Sequence, residues 1–390
     1  MASSTQKQQL PTFYGGATSA PPPTPSAQPN NLLSSVDAAD ALSRLLHRLP
    51  PALSLPTRPA GSSTATCPPL VSFPDEAGSA NNINLHDLLS SSSQLGFFQL
   101  ANHSVPSQLA NSAESEALSL FDLPREKKES YFPKNWPLGY EAEDRDEEGD
   151  GLGESFCLDS SCSAESTELE LASLLELTRA LEQVGLRIVG LISGSLGFEN
   201  PLEKDDPARF CTLTWISEDQ PGKRSMTSGG FYPYIVGLQY QIRSRKYSML
   251  ADSGWVSVLP QVDSVLVTIG DIAQVWSNGK LKKVRGRAVG SSGEGMNNNK
   301  KSRSVSISVL VTLPLDSRVS PLVMIPKQTT TSEDVIKNIN EEEEELADDD
   351  DEEEEEKRVF NSFSFEDYAW RVYHERLHFK DPLDRYRIIT

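Results

Sequence analysis

Five histidines could carry metal or proton chemistry in this 390-residue chain: His47, His86, His103, His374 and His378, with none between residues 104 and 373. Two of them belong to the run His374-Glu375-Arg376-Leu377-His378, which fits H-E-x-x-H. Imidazoles at i and i+4 share one helical face and can grip Zn²⁺, with the glutamate between them as general base. Such a site also needs a third ligand and a cleft. Twelve residues follow His378, and Asp381 and Asp384 are the nearby acidic candidates. A zinc hydrolase through His374, Glu375 and His378 is the remote alternative, and an adventitious surface metal site the plainer one. The four cysteines (Cys67, Cys157, Cys162 and Cys211) show no paired spacing, and Cys157 and Cys162 lack the partners of a zinc ribbon. Reduced thiols in an intracellular protein are expected.

The elements that must position any chemistry follow from periodicity and turn residues. Residues 1–35 are Pro/Ser-rich and bury too little apolar surface to offset ordering entropy, so a disordered tail is expected there. Helices are expected at 37–49, 84–93, around 107–121 and at 167–197, the last with a leucine-rich face closed by Gly194 and Gly197. Leu70–Phe73 and Leu95–Asn102 read as strands. From Phe210 to Pro314 the pattern becomes short strands broken by turns such as Gln220-Pro221-Gly222 and Ser277-Asn278-Gly279. A helical first half and an all-β second half predict an α+β architecture around a sandwich or barrel. Phe97, Phe98, Trp255 and Trp276 are expected in its core.

Charge and hydropathy exclude several classes. The net charge is −20, but fourteen acidic residues lie in 341–345 and 348–356, and removing them leaves −6. The tract at 329–357 is expected to be a disordered acidic linker, with a docking segment for a basic protein partner as the sharper alternative. No basic stripe exists to neutralise phosphates, so no nucleic-acid partner is expected. No run approaches 18 apolar residues, so no membrane span is expected. A cytoplasmic location is expected. The Ser/Thr-rich N-terminus, which has no acidic residue before Asp37, keeps a plastid transit peptide open.

Four segments resemble one family. LGFFQLANHSVP (Leu95–Pro106), FDLPREKKESY (Phe121–Tyr131), the stretch Gly254–Val284 with its Gly270-Asp271 and Ser277-Asn278-Gly279, and Phe360–Ile388 are together similar to the plant-type 2-oxoglutarate/Fe(II)-dependent dioxygenases, the isopenicillin N synthase-like and gibberellin oxidase-like enzymes. The resemblance implies a double-stranded β-helix, a jelly-roll barrel, at 201–320. An oxygenase-like N-terminal helical region would span 36–200, and a C-terminal helix within 358–390 would pack on the barrel. It implies Fe(II) held by two histidines and one carboxylate, with open positions for 2-oxoglutarate and O₂.

Carried over residue by residue, the ligand set does not match. The family's H-T-D-S-G-F falls on Met226-Thr227-Ser228-Gly229-Gly230-Phe231, so Met226 and Ser228 stand where histidine and aspartate are expected. The distal histidine falls on Gly286 of Val284-Arg285-Gly286-Arg287-Ala288. The histidine census leaves no substitute imidazole in the barrel region. The family's R-x-S anchor for 2-oxoglutarate is met by Arg303-Ser304-Val305, with Arg303 as the candidate and Val305 in place of serine, in a register the nearby insertion leaves open by a residue or two. Leu213 replaces the tyrosine that would assist it. These departures imply a catalytically inactive relative with no Fe(II) or 2-oxoglutarate, acting as a small-molecule-binding or interaction scaffold with a small organic ligand in the barrel. The alternative is a divergent but active dioxygenase on a small plant metabolite or hormone.

Overall fold

The longest helix shows how this sequence builds an outer layer for a sheet. In α4 (Ala172–Leu196), Leu174, Leu177, Leu181, Val184, Ile188 and Ile192 recur every three or four residues and form one buried stripe. Midway along that stripe a Cβ at Gly185 would come within 2.8 Å of Val311 and 2.9 Å of Leu238, so glycine sets how closely the helix lies on the strands below. The N-terminus of α4 is capped from outside. Glu116 of α2 (Ser107–Phe121) accepts hydrogen bonds from the Ser173 and Leu174 amides at 3.1 and 2.8 Å, and its charge suits that end of the helix. In α2 the small residues Ala110, Ala113 and Ala117 line the buried face.

The computed structural model describes residues 65–73, 82–142, 154–159, 171–199, 201, 210–218, 231–290, 303–323, 358–375 and 380–388. Its remaining described elements are β1 (Leu70–Ser72), α1 (Asn82–Gln94), β2 (Phe97–Ala101), α3 (Arg125–Tyr131), β3 (Gly139–Glu141), β4 (Ser155–Asp159), β5 (Cys211–Glu218), β6 (Val236–Tyr240), β7 (Tyr247–Ala251), β8 (Gly254–Val258), β9 (Val265–Ile269), α5 (Asp271–Trp276), β10 (Val284–Gly290), β11 (Val305–Thr312), β12 (Arg318–Val319), β13 (Phe363–Ser364), α6 (Phe365–Glu375) and a closing 3₁₀ turn (Pro382–Tyr386). Eight strands form one sheet in the order β1-β2-β9-β6-β11-β5-β4-β3, and β10-β7-β8 form a second. All pairings are antiparallel except β1 with β2. A cluster of Phe97 and Leu266 from the large sheet with Tyr247, Met249 and Val284 from the small one closes the two sheets over each other. The fold is the expected α+β jelly roll.

Two expectations need correction. The large sheet reaches beyond 201–320: the strands expected at Leu70–Phe73 and Leu95–Asn102 join one edge as β1 and β2, and β4 and β3, which were not expected, join the other. The reason is edge coverage, because unpaired strand edges recruit further strands. Trp255, expected in the core, is 48% exposed, whereas Phe97, Phe98 and Trp276 are buried. It lies on β8, the outer strand of the small sheet, with its side chain turned away from the barrel. The expected helix at 37–49, the tail at 1–35 and the linker at 329–357 lie outside the described residues.

The C-terminal segment is tied down by charge. Lys283, fully buried before β10, lies 2.6 Å from Asp381 and 3.1 Å from Asp271 at the start of α5. Asp381 also accepts from the Leu383 amide at 3.0 Å. Burial pushes the Asp271 carboxyl above its usual range. Burial also opposes the Asp381 charge, but Lys283 and the Leu383 amide outweigh it and hold that carboxyl below its usual range. Burial likewise drives the neighbouring Tyr368 phenol well above normal.

Candidate functional site

Gly286 sits in a bulge. Between Arg285 and Val289 the strand β10 carries two more residues than its partner β7, so Gly286, Arg287 and Ala288 leave the regular ladder. The bulge puts Gly286 at φ +66, a left-handed conformation that side chains disfavour. The space over its Cα is filled: a Cβ there would stand 2.2 Å from Phe231 Cδ1. Tyr234, three residues further on, locks the bulge from below. Its hydroxyl lies 2.8 Å from Val284 O and 3.0 Å from Gly286 O, sharing one proton between two carbonyls, and 3.0 Å from Thr268 Oγ1. Burial pushes this phenol far above its usual range, so it stays a donor. Tyr234→Phe strands two buried carbonyls, and urea denaturation should show a loss of about 1–3 kcal/mol.

The bulge also redirects Arg287 across the barrel. Its guanidinium lies 4.5 Å over the Trp215 ring and donates to Ser217 Oγ at 3.0 Å, both on β5 of the opposite sheet. Strand pairing places Cys157 and Ser308 beside Trp215, and Ser155 and Ser306 beside Ser217. These positions face the interior, because their neighbours Thr212 and Thr214 bond to Glu182 and Thr178 of α4 on the other face. Gln239 of β6 donates to Ser306 from the adjoining strand. Burial lowers the Arg287 pKa to about 10, which leaves it charged at neutral pH.

The sequence candidates fare unevenly. Met226 and Ser228 lie outside the described residues, and the contact to Gly286 comes from Phe231, the last residue of the same motif. Arg303 points outward at the start of β11, half-exposed, donating to Glu218 at 2.6 Å and to Asp122. The carboxylates it meets are the protein's own. His374 and Glu375 end α6: His374 stacks on Trp370 at 4.4 Å with its Nδ1 2.8 Å from the Trp370 carbonyl, and Glu375 is paired with Arg371 at 2.7 Å. His378 lies outside the described residues. Phe231, Tyr234, Trp215 and Arg287 were not among the candidates. Arg287 had one signal, its place beside Gly286 in the motif.

The Fe(II) that the resemblance implies would need an imidazole at position 286. An imidazole at 286 would need both a side chain at a left-handed glycine and the volume held by Phe231. Among the described residues, no group of three His, Cys, Asp or Glu side chains could hold a metal ion. The residues around position 286 do not fit a metal-bound histidine.

Comparison with known proteins places the chain. Residues 69–172 match the model of the non-haem dioxygenase in morphine synthesis N-terminal region, and residues 222–308 match that of the 2OG-Fe(II) oxygenase superfamily. Gibberellin 2-beta-dioxygenase 2 of Arabidopsis thaliana is 25% identical over 60% of this chain and 73% of its own length. Gibberellin 2-beta-dioxygenase 1 of the same plant is 28% identical over 61% and 77%. Among solved structures, JOX2 in complex with 2OG, Fe and JA aligns with TM-score 0.60 at 17% identity over 89% of this chain and 97% of that one. The rice dioxygenase for auxin oxidation aligns with TM-score 0.55 at 19% identity over 82% and 99%. With residues 69–172 and 222–308 matched by these two models, the gibberellin dioxygenases as relatives and the jelly roll shared with these structures, the chain belongs to the 2-oxoglutarate/Fe(II) dioxygenase superfamily.

Proposed function

We propose that this member of the superfamily is a non-catalytic binding module that takes a small organic ligand in its barrel. The observation that carries the reading is the occupied position at Gly286, where a phenyl ring and a left-handed backbone stand in place of an imidazole. The absence of histidine between residues 104 and 373 supports it, since no other imidazole can come from the barrel strands. The polar interior around Arg287, Trp215 and Ser217 is the kind of convergent set that orients a ligand. Arg303, turned outward, takes no part in it.

A second reading, an active oxygenase on a small plant metabolite or hormone, draws on the activity named for the gibberellin 2-beta-dioxygenase relatives. The test is succinate release from purified protein with iron, ascorbate and 2-oxoglutarate. The binding-module reading expects release equal to the no-protein background. Release above background that requires added iron would establish the oxygenase reading instead. The acidic tract remains a proposed docking segment for a basic partner. No described helix is long and apolar enough to cross a membrane.

A further inference from the structure

Between β6 and β7 the chain passes from the large sheet to the small one through residues 241–246, which form neither helix nor strand. The last four are Arg243-Ser244-Arg245-Lys246. Arg243 and Ser244 are exposed, and Arg245 and Lys246 half-buried. Among the described residues, Ser244 is the one exposed serine with a basic residue on each side. The arginines beside it are held in place. Arg243 gives both terminal nitrogens to Glu114 of α2, Nη2 to Oε2 at 2.6 Å. Arg245 Nη1 donates to Ser304 Oγ at 3.3 Å, just before β11. The same guanidinium covers the end of β10, where a Cβ on Gly290 would stand 2.6 Å from Arg245 Nε. These features suit one chemistry. A hydroxyl on an exposed, irregular segment can enter an enzyme cleft without breaking a strand ladder. Cations on both sides of it complement a cleft lined with carboxylates.

We propose that Ser244 is a phosphorylation site for a protein kinase whose peptide cleft is acidic. The γ-phosphoryl group of ATP passes to Ser244 Oγ. The bond from the γ-phosphorus to its bridging oxygen breaks, the Oγ–P bond forms, the hydroxyl proton goes to the kinase's base, and ADP leaves. The product places a phosphate dianion beside Arg243, Arg245 and Lys246. Which arginine it engages follows from what each would give up. Arg243 is held by two charged bonds to the buried Glu114 carboxylate, and Arg245 by a longer bond to a neutral hydroxyl. Charge-assisted bonds are about twice as strong as neutral ones. The phosphate therefore draws Arg245 from Ser304 and leaves Arg243 on Glu114. The modification acts where Arg245 meets the end of β10 and the start of β11. It is independent of the binding-module reading, because it uses none of the barrel interior.

The probe is the catalytic domain of protein kinase C with Mg²⁺ and ATP, acting on the full-length chain and on a synthetic peptide of residues 238–250. Site-resolved mass spectrometry follows Ser244 alone, so labelling of other serines does not enter. The folded chain should be labelled at Ser244 within about tenfold of the peptide's rate, since the hydroxyl is already exposed. A slower rate would mean that the fold hides it and would overturn the inference. Arg245→Gln/Lys246→Gln should slow labelling of chain and peptide alike by at least tenfold. The peptide keeps this arm readable if the variant chain fails to fold. Unchanged rates would overturn the inference, because the flanking cations would then play no part in recognition. A ³¹P NMR titration reads the docking. The second ionisation of phosphoserine, ordinarily at about pH 6, should fall in the folded chain and return to the peptide's value in Arg245→Gln. A parent value equal to the peptide's, or one that Arg245→Gln leaves unchanged, would overturn the docking on Arg245.

Discussion

Gly286→His should lower stability by about 2–5 kcal/mol, read as a fall in the urea midpoint with an unchanged slope. Two terms contribute. A non-glycine residue in the left-handed region at φ +66 costs roughly 1–2 kcal/mol. Forcing a Cβ to within 2.2 Å of the Phe231 ring adds roughly 1–3 kcal/mol of overpacking. Since the clash begins at Cβ, Gly286→Ala should lose nearly as much. Phe231→Ala in the Gly286→His background should recover the packing term and leave the backbone term, so the two changes should couple favourably in a double-mutant cycle. A Gly286→His variant as stable as the parent would mean that the ring swings aside freely. The consequence for the site is specific. Restoring Met226→His, Ser228→Asp and Gly286→His together should not rebuild an iron centre unless Phe231 is also reduced, because the departure from the family reaches the backbone and the packing as well as the ligands.

Lys283→Met should be as damaging, at about 3–5 kcal/mol, because it leaves the buried Asp271 and the partly buried Asp381 carboxylates without their shared cation. The pH dependence has a definite sign. With Lys283 gone, burial dominates at Asp271, whose folded pKa already lies above normal. A carboxyl with a raised folded pKa binds its proton more tightly when folded. The penalty is therefore full above that pKa and shrinks as pH falls toward the unfolded value. Asp381 in the parent has the opposite sign: its depressed pKa contributes stability that is lost as pH falls through the folded value. The variant's deficit should thus be largest at neutral pH and narrower near pH 4, measured by urea denaturation at both. A deficit that does not change with pH would argue against buried charge as its cause. Release of the C-terminal segment should accompany the loss, since Asp381 anchors it.

Much of the fold was legible in local patterns. The helix at Ser107–Phe121 follows its expected bounds, and the long leucine-rich helix starts a few residues late and ends at Gly197, as its spacing implies. The glycine-and-turn rhythm of 254–284 also marks two strands, β8 in the small sheet and β9 in the large one. Less legible was how far the sheet extends. Leu70–Ser72 and Ser155–Asp159 are short, and which edges they join depends on partners more than fifty residues away in the case of β4 and β5. Trp255 shows the same limit: a large apolar residue on an edge strand carries no mark of which face it takes. At the site, the missing imidazoles were readable from residue type alone. The plug was not, because Phe231 and Gly286 are brought together by a two-residue bulge that no spacing rule announces. Arg303 lies just before β11, on the outward side, where Asp122 and Glu218 are within reach.

Anaerobic equilibrium dialysis of Fe(II) against the protein, with 2-oxoglutarate in excess, tests the central claim most directly. It should be run on a His374→Ala/His378→Ala variant, so that the C-terminal histidines do not contribute. No stoichiometric iron should be retained at any concentration that saturates an active relative. One equivalent of iron per chain, held saturably and released when 2-oxoglutarate is withdrawn, would contradict it.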